Sequence, residues 1–213
     1  MEVIFLVVLV IVSVVYLGSL FFKRGAFQAV TKGLLVPLVM AVYIFGTDHV
    51  LLLIILALVL GWAGDISLIK ITNIPFFRMG LASFLAGHIC YIIAMLRYTT
   101  PLNVPVLLIS LAAAAAMGFG IYKFVRPSKE MKLPAIVYEI VILTMAVSAL
   151  QLYVVNGSTH SLLVFLGSLC FLASDTMLAF FTFGKNTKYG DFLVMLTYIS
   201  AQTLIAVGFW GFG

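Results

Sequence analysis

The sequence predicts an all-α fold, a polytopic transmembrane bundle of eight helices, and three observations carry that expectation. Of 213 residues, 64% are hydrophobic and only 9% charged, with a mean hydropathy of +1.26; a soluble domain carries about 25% charged residues. Apolar runs long enough for helices recur along the whole chain. The basic residues fall in the short tracts between those runs, and in alternate tracts. No connection is long enough to form a soluble module, so residues 1–213 read as a single transmembrane domain.

The runs extend from Val3 to Phe22, Gly33 to Phe45, Val50 to Ile69, Met79 to Leu96, Val104 to Phe124, Leu133 to Val155, Ser161 to Phe183 and Gly190 to Phe212. The first has no basic segment before it and about 20 apolar positions, longer than a signal-peptide core, so it reads as a retained helix. The second is short for a ~30 Å hydrocarbon core and contains Pro37, which predicts a kink and a partial span. The other six are ordinary candidates for crossing.

Charge sets the orientation. Lys23, Arg24, Lys32, Lys70, Arg78, Lys123, Arg126, Lys129, Lys132, Lys185 and Lys188 lie on one side and Arg97 alone on the other. The positive-inside rule places the richer side in the cytoplasm and both termini opposite it, and the short chain points to a bacterial inner (plasma) membrane. The pI of 9.3 and net charge of +5 therefore report topology, and no nucleic-acid partner is expected.

A shift of 110 residues superimposes Asp65 on Asp175, Leu68 on Leu178, Arg78 on Lys188, Gly80 on Gly190 and His88 on Tyr198. This raises a possible 4+4 repeat, with the third and fourth helices matching the seventh and eighth in the same orientation.

Four ionisable residues fall inside apolar runs: Asp65, His88, Glu139 and Asp175. An Asp at a helix centre costs about 2.5 to 3.5 kcal/mol on insertion scales, so such groups face a polar cavity or a partner. At ~1.5 Å per helical residue, Asp65 lies about 7 Å in from Lys70, Asp175 about 15 Å in from Lys185, and His88 about 15 Å in from Arg78. Tyr91, Tyr198 and Gln202 continue that layer, which predicts a polar pocket open to the cytoplasmic half. Plainer roles stand beside this one. Asp65 could snorkel toward Lys70, His88, Tyr198 and Gln202 could simply bond neighbouring helices, and Glu139, seven residues from Lys132 on one helix face, reads as a boundary residue. Gly61 and Gly64 before Asp65, and Gly167, Ser168 and Ser174 before Asp175, favour close helix approach.

Several chemistries drop out. There is no Gly-rich phosphate loop and no G-x-S-x-G elbow. Cys90 and Cys170 lie within apolar runs without ligand spacing, and His49 and His160 sit across most of the bilayer from His88, which argues against a zinc site. A carboxylate pair with a histidine and a tyrosine suits acid/base work.

The segments "LGWAGDISLI", "GLASFLAGHICYI", "GSLCFLASDTMLAF" and "YISAQTLIAVG" resemble, in order and spacing, the motifs of the YhhN-like lysoplasmalogenase family of eight-helix membrane proteins. "TKGLLVP" is similar to that family's Lys-Pro start to its second helix, with Gly33 where Pro is common and the proline at Pro37. The resemblance implies hydrolysis of the vinyl ether bond of a lysophospholipid, the lysoplasmalogen, to a fatty aldehyde and glycerophosphocholine or glycerophosphoethanolamine. It implies no cofactor and no metal. Protonating the alkene carbon makes an oxocarbenium ion that water captures, and two carboxylates flank such a centre in glycosidases. Two acids close together in low dielectric do not both ionise easily, which leaves one as a proton donor. On this basis Asp175 is the expected acid and Asp65 the expected base, in an assignment that could be reversed. His88, Tyr91, Tyr198, Gln202 and Ser174 would support them, and Lys32 with the other basic-side residues would attract the phosphate.

Two other classes fit the same residues. One is a proton-coupled transporter of a lipid or amphiphile, favoured by the repeat and the buried charges. The other is a non-catalytic lipid-binding protein whose acids are structural.

Overall fold

The computed structural model describes residues 1–22, 25–69, 74–124, 129–184, 187 and 189–212, and these form helices with no strand among them. The helices are α1 (Glu2–Ser19), α2 (Gly25–Gly46), α3 (Leu52–Leu68), α4 (Ile74–Leu96), α5 (Val104–Phe124), α6 (Lys132–Asn156), α7 (Thr159–Phe183) and α8 (Gly190–Gly208), followed by the 3₁₀ turn Phe209–Gly211. Six of them, α1, α2, α4, α6, α7 and α8, are long and apolar enough to cross a membrane. The 17 residues of α3 span roughly 25 Å, the low end of the crossing range. Of the basic residues that set the orientation, Lys23, Arg24, Lys70, Arg126, Lys185 and Lys188 lie outside the described residues.

The expectation that the second helix spans only partly is corrected: α2 starts at Gly25 and has 22 residues. Hydropathy missed its first two turns because their polar groups are satisfied within the protein. Gln28 Nε2 donates to the Ser19 and Phe22 carbonyls at 2.6 and 3.1 Å, and Thr31 Oγ1 donates to Phe27 O at 2.8 Å. The helix also continues through Pro37. A proline leaves the carbonyl four residues earlier without its helical donor, here Gly33 O, and Trp62 Nε1 of α3 donates to that oxygen at 2.8 Å.

Local chemistry marks other boundaries. Pro75, Pro105 and Pro134 sit in the first turns of α4, α5 and α6, where the missing N–H costs no helical bond. Asn103 Oδ1 accepts from Val106 N at 3.1 Å at the start of α5, and Gln151 of α6 holds the Asn103 backbone. Between α6 and α7, Gly157 adopts φ 62°, a left-handed conformation that favours glycine, and Ser158 forms a reciprocal capping box with Ser161.

The packing repeats under a shift of four helices. Contacts of α1 with α2, α2 with α3, α3 with α4 and α2 with α8 have counterparts in α5 with α6, α6 with α7, α7 with α8 and α6 with α4. The closest pairs, α3 with α4 and α7 with α8, meet at small residues. A Cβ on Gly87 would lie 3.2 Å from the Ala57 carbonyl of α3, and one on Gly167 would lie 3.0 Å from Ile205 N and 3.1 Å from Ala201 O of α8. Without a hydrophobic drive between helices in lipid, such close approach supplies the packing. The outer faces carry exposed side chains such as Val7, Ile11 and Val14 on α1 and Leu108 and Ile109 on α5, as expected of surfaces that meet acyl chains.

Gly167→Val should lower stability by about 1 to 3 kcal/mol, because the added carbons meet α8 backbone. Gly120→Ala, whose Cβ meets nothing within 4 Å, should be neutral or stabilising by up to about 1 kcal/mol. Thermal unfolding in detergent compares them, and equal melting temperatures would contradict the close-approach account.

Candidate functional site

Asp65 sits near the C-terminal end of α3, almost fully buried. Lys32 of α2 places Nζ 3.4 Å from its Oδ1, with the two side chains 15% and 3% exposed. Tyr198 of α8 donates its hydroxyl to Oδ2 at 2.6 Å. Gln202, one turn further on α8, donates through Nε2 to the Tyr198 oxygen at 3.2 Å, and Tyr91 of α4 donates to Gln202 Oε1 at 2.7 Å. Every donor from Tyr91 through Gln202 and Tyr198 thus points toward one carboxylate, an order in which each bond polarises the next. Gly61 leaves the space for this chain, since a Cβ there would lie 2.7 Å from Gln202 Nε2.

Asp175 on α7 has a separate set of partners. Tyr138 of α6 donates to its Oδ2 at 2.6 Å. His88 Nε2 of α4 stands 3.8 Å from the same oxygen, beyond hydrogen-bond length. The imidazole is held edge-on between the rings of Phe171, at 5.0 Å, and Tyr138, at 5.6 Å. The two sets correspond under the four-helix shift: Asp65 is met from α2 and α8, Asp175 from α6 and α4. His88 and Tyr198, superimposed by the 110-residue shift, each reach the aspartate of the other half.

A cavity of about 510 Å³ opens between α4, α5, α6 and α7, within the range of small-molecule sites. Its walls are mainly apolar, among them Leu81, Ala115, Phe119, Leu143 and Ala179, and its polar surface comes from Tyr138, Glu139, Thr144, Asp175 and Thr182. Asp65 is not one of its walls. At the basic-side end of α5, Lys123 Nζ lies 4.6 Å from the centroid of the Phe119 wall ring. Arg78 pairs with Glu130 at 3.1 Å, both exposed.

The sequence-selected residues therefore divide. Lys32, Asp65, Tyr91, Tyr198 and Gln202 form one connected network, and Asp175 with His88 forms another. Ser174 is buried and donates to Val194 O of α8 at 3.1 Å, a bond between helices. Sequence reasoning passed over Tyr138 and set Glu139 aside as a boundary residue, whereas both line the cavity with Asp175. The polar Tyr-Glu pair inside an apolar run was the available signal. Among the described residues no group of three or more His, Cys, Asp or Glu side chains could hold a metal ion.

Eight helices among the described residues, six of them long and apolar enough to cross a membrane, packed in a repeated arrangement around a cavity with an aspartate in its wall, define a multi-pass membrane protein. The chain belongs to the YhhN family, whose model matches residues 27–209. It is also 34% identical to lysoplasmalogenase TMEM86B of Sus scrofa over 131 residues, covering 62% of this chain and 53% of that protein. The match thus spans about half the length of that curated relative. No solved structure matches the chain.

Lys32→Met should destabilise the protein by about 3 to 5 kcal/mol by leaving Asp65 without its cation, and Asp65→Asn in the same chain should recover much of the loss. Detergent melts of the two single variants and the double form the cycle. Strict additivity would mean the pair is uncoupled.

Proposed function

We propose that this protein hydrolyses the vinyl ether bond of lysoplasmalogens inside the bundle, releasing a fatty aldehyde and glycerophosphocholine or glycerophosphoethanolamine. The observation that carries the reading is the apolar cavity into which Asp175 and Tyr138 project. An amphiphile with one chain fits such a site: hydrocarbon along the α5 and α6 walls, the ether oxygen near the carboxylate and the phosphate toward the basic ends of the helices. Lys123, beside the Phe119 wall, stands where a phosphate would lie. The name of the Sus scrofa relative supports the substrate class.

In this reading Asp175 is the acid. Transfer of its proton to the alkene carbon places positive charge on the ether oxygen and its neighbouring carbon, and the resulting carboxylate stabilises that charge in a water-poor site. Tyr138 and His88 orient Asp175. Asp65, bound to Lys32 and Tyr198 outside the cavity walls, acts through position: it ties α2, α3 and α8 together and, through Gln202 and Tyr91, fixes α4, which presents His88 to Asp175. This moves Asp65 from the base expected from sequence to a positioning residue. With the basic tracts in the cytoplasm, the cavity belongs to the cytoplasmic half of a bacterial inner membrane and both termini lie opposite.

The repeated packing and buried acids also favour a second reading, proton-coupled transport of a lipid or amphiphile. Proteoliposomes separate the two. Transport predicts flux of intact lipid, and hydrolysis predicts free aldehyde detected by mass spectrometry.

Asp175→Asn should lower aldehyde release at least a hundredfold in a protein that still melts cooperatively, and near-normal turnover would exclude it as the acid. Ala115→Phe, which fills the cavity, should raise the KM for long-chain lysoplasmalogen more than for a short-chain analogue. An equal effect on both would contradict chain binding there.

A further inference from the structure

We propose that Glu139 is a catalytic residue, the carboxylate that holds and deprotonates the attacking water. This rests on the hydrolase reading above and supplies the base it requires. Glu139 lies next to Tyr138 on α6, and the two residues line the same cavity as Asp175. Its Oε1 is buried and has no hydrogen-bond partner among the described residues. That sets it apart from the other two intramembrane carboxylates, since Asp65 is engaged by Lys32 and Tyr198 and Asp175 by Tyr138. A buried oxygen without a donor costs free energy, and orphaned polar groups of this kind concentrate where a ligand or reactant supplies the missing bond. Here the carboxyl group forms part of the wall of a cavity of about 510 Å³, within reach of a bound reactant, which is what a base for water requires.

The proton inventory closes. Asp175 gives its proton to the alkene carbon of the vinyl ether, forming a C–H bond and an oxocarbenium ion. Water adds to the cationic carbon while Glu139 accepts one of its protons, giving a neutral hemiacetal. The C–O bond to glycerol then breaks as the Glu139 acid protonates the departing oxygen and the Asp175 carboxylate takes the hemiacetal hydroxyl proton. The products are the aldehyde and the glycerophospho compound, one water is consumed, and both carboxyl groups return to their starting states.

The test uses the full-length protein in detergent with choline lysoplasmalogen, following aldehyde by mass spectrometry. Glu139→Gln should lower kcat at least a hundredfold with KM changed less than about threefold, and Glu139→Asp should retain more activity than Glu139→Gln. Added formate should restore turnover to Glu139→Ala at least about tenfold by supplying a carboxylate in the vacated space. A Glu139→Gln kcat near wild type overturns the proposal. So does a loss of activity that formate does not rescue and that follows a lowered melting temperature, because it marks a structural role. No aldehyde from the wild-type protein overturns the hydrolase reading itself and this role with it, whereas aldehyde from wild type and Glu139→Gln alike overturns only the role.

Discussion

Burying an aspartate among apolar helices costs several kcal/mol unless donors meet it, and the arrangement of this bundle follows from meeting that requirement twice. Asp65 receives a cation from α2 and a phenol from α8, and Asp175 receives a phenol from α6 and the approach of an imidazole from α4. Since α8 donates to Asp65 on α3 while α4 brings His88 within 3.8 Å of Asp175 on α7, each aspartate is approached from both halves of the chain. The crossed pairing brings together residues more than 80 positions apart in two polar clusters.

Close packing lets those clusters exist. Gly87 against α3 and Gly167 against α8 bring backbones together, and Gly61 clears the path by which Gln202 reaches Tyr198. The same economy of polar groups explains α2, where Pro37 frees the Gly33 carbonyl and Trp62 occupies it. In hydrocarbon a freed carbonyl must find a donor within the protein, and the indole supplies one from the adjacent helix.

The two aspartates occupy corresponding helices but not equivalent environments. Asp65 ends a closed chain of donors, while Asp175 stands at a cavity wall with Glu139. A pseudo-symmetric scaffold has thus been used asymmetrically. Lys32 on α2 gives one aspartate a cation, and on α6 a Tyr-Glu pair gives the other a phenol and a neighbouring acid. The asymmetry leaves the second aspartate, and not the first, in a cavity wall.

From the sequence alone come the membrane class, the helix count and the alternation of charge, because each depends on composition, period or distance along one helix. Asp65, His88, Tyr91, Asp175, Tyr198 and Gln202 were legible for the same reason: polar side chains are conspicuous in apolar runs. The start of α2 was not, since Gln28, Thr31 and Lys32 look like a loop until their partners on the chain before α2, within α2 itself and on α3 are known. Only the tertiary structure decided which aspartate meets which donor and that Glu139 faces a cavity. Partner choice depends on how helices rotate and cross in space, and no periodicity within a single helix encodes it.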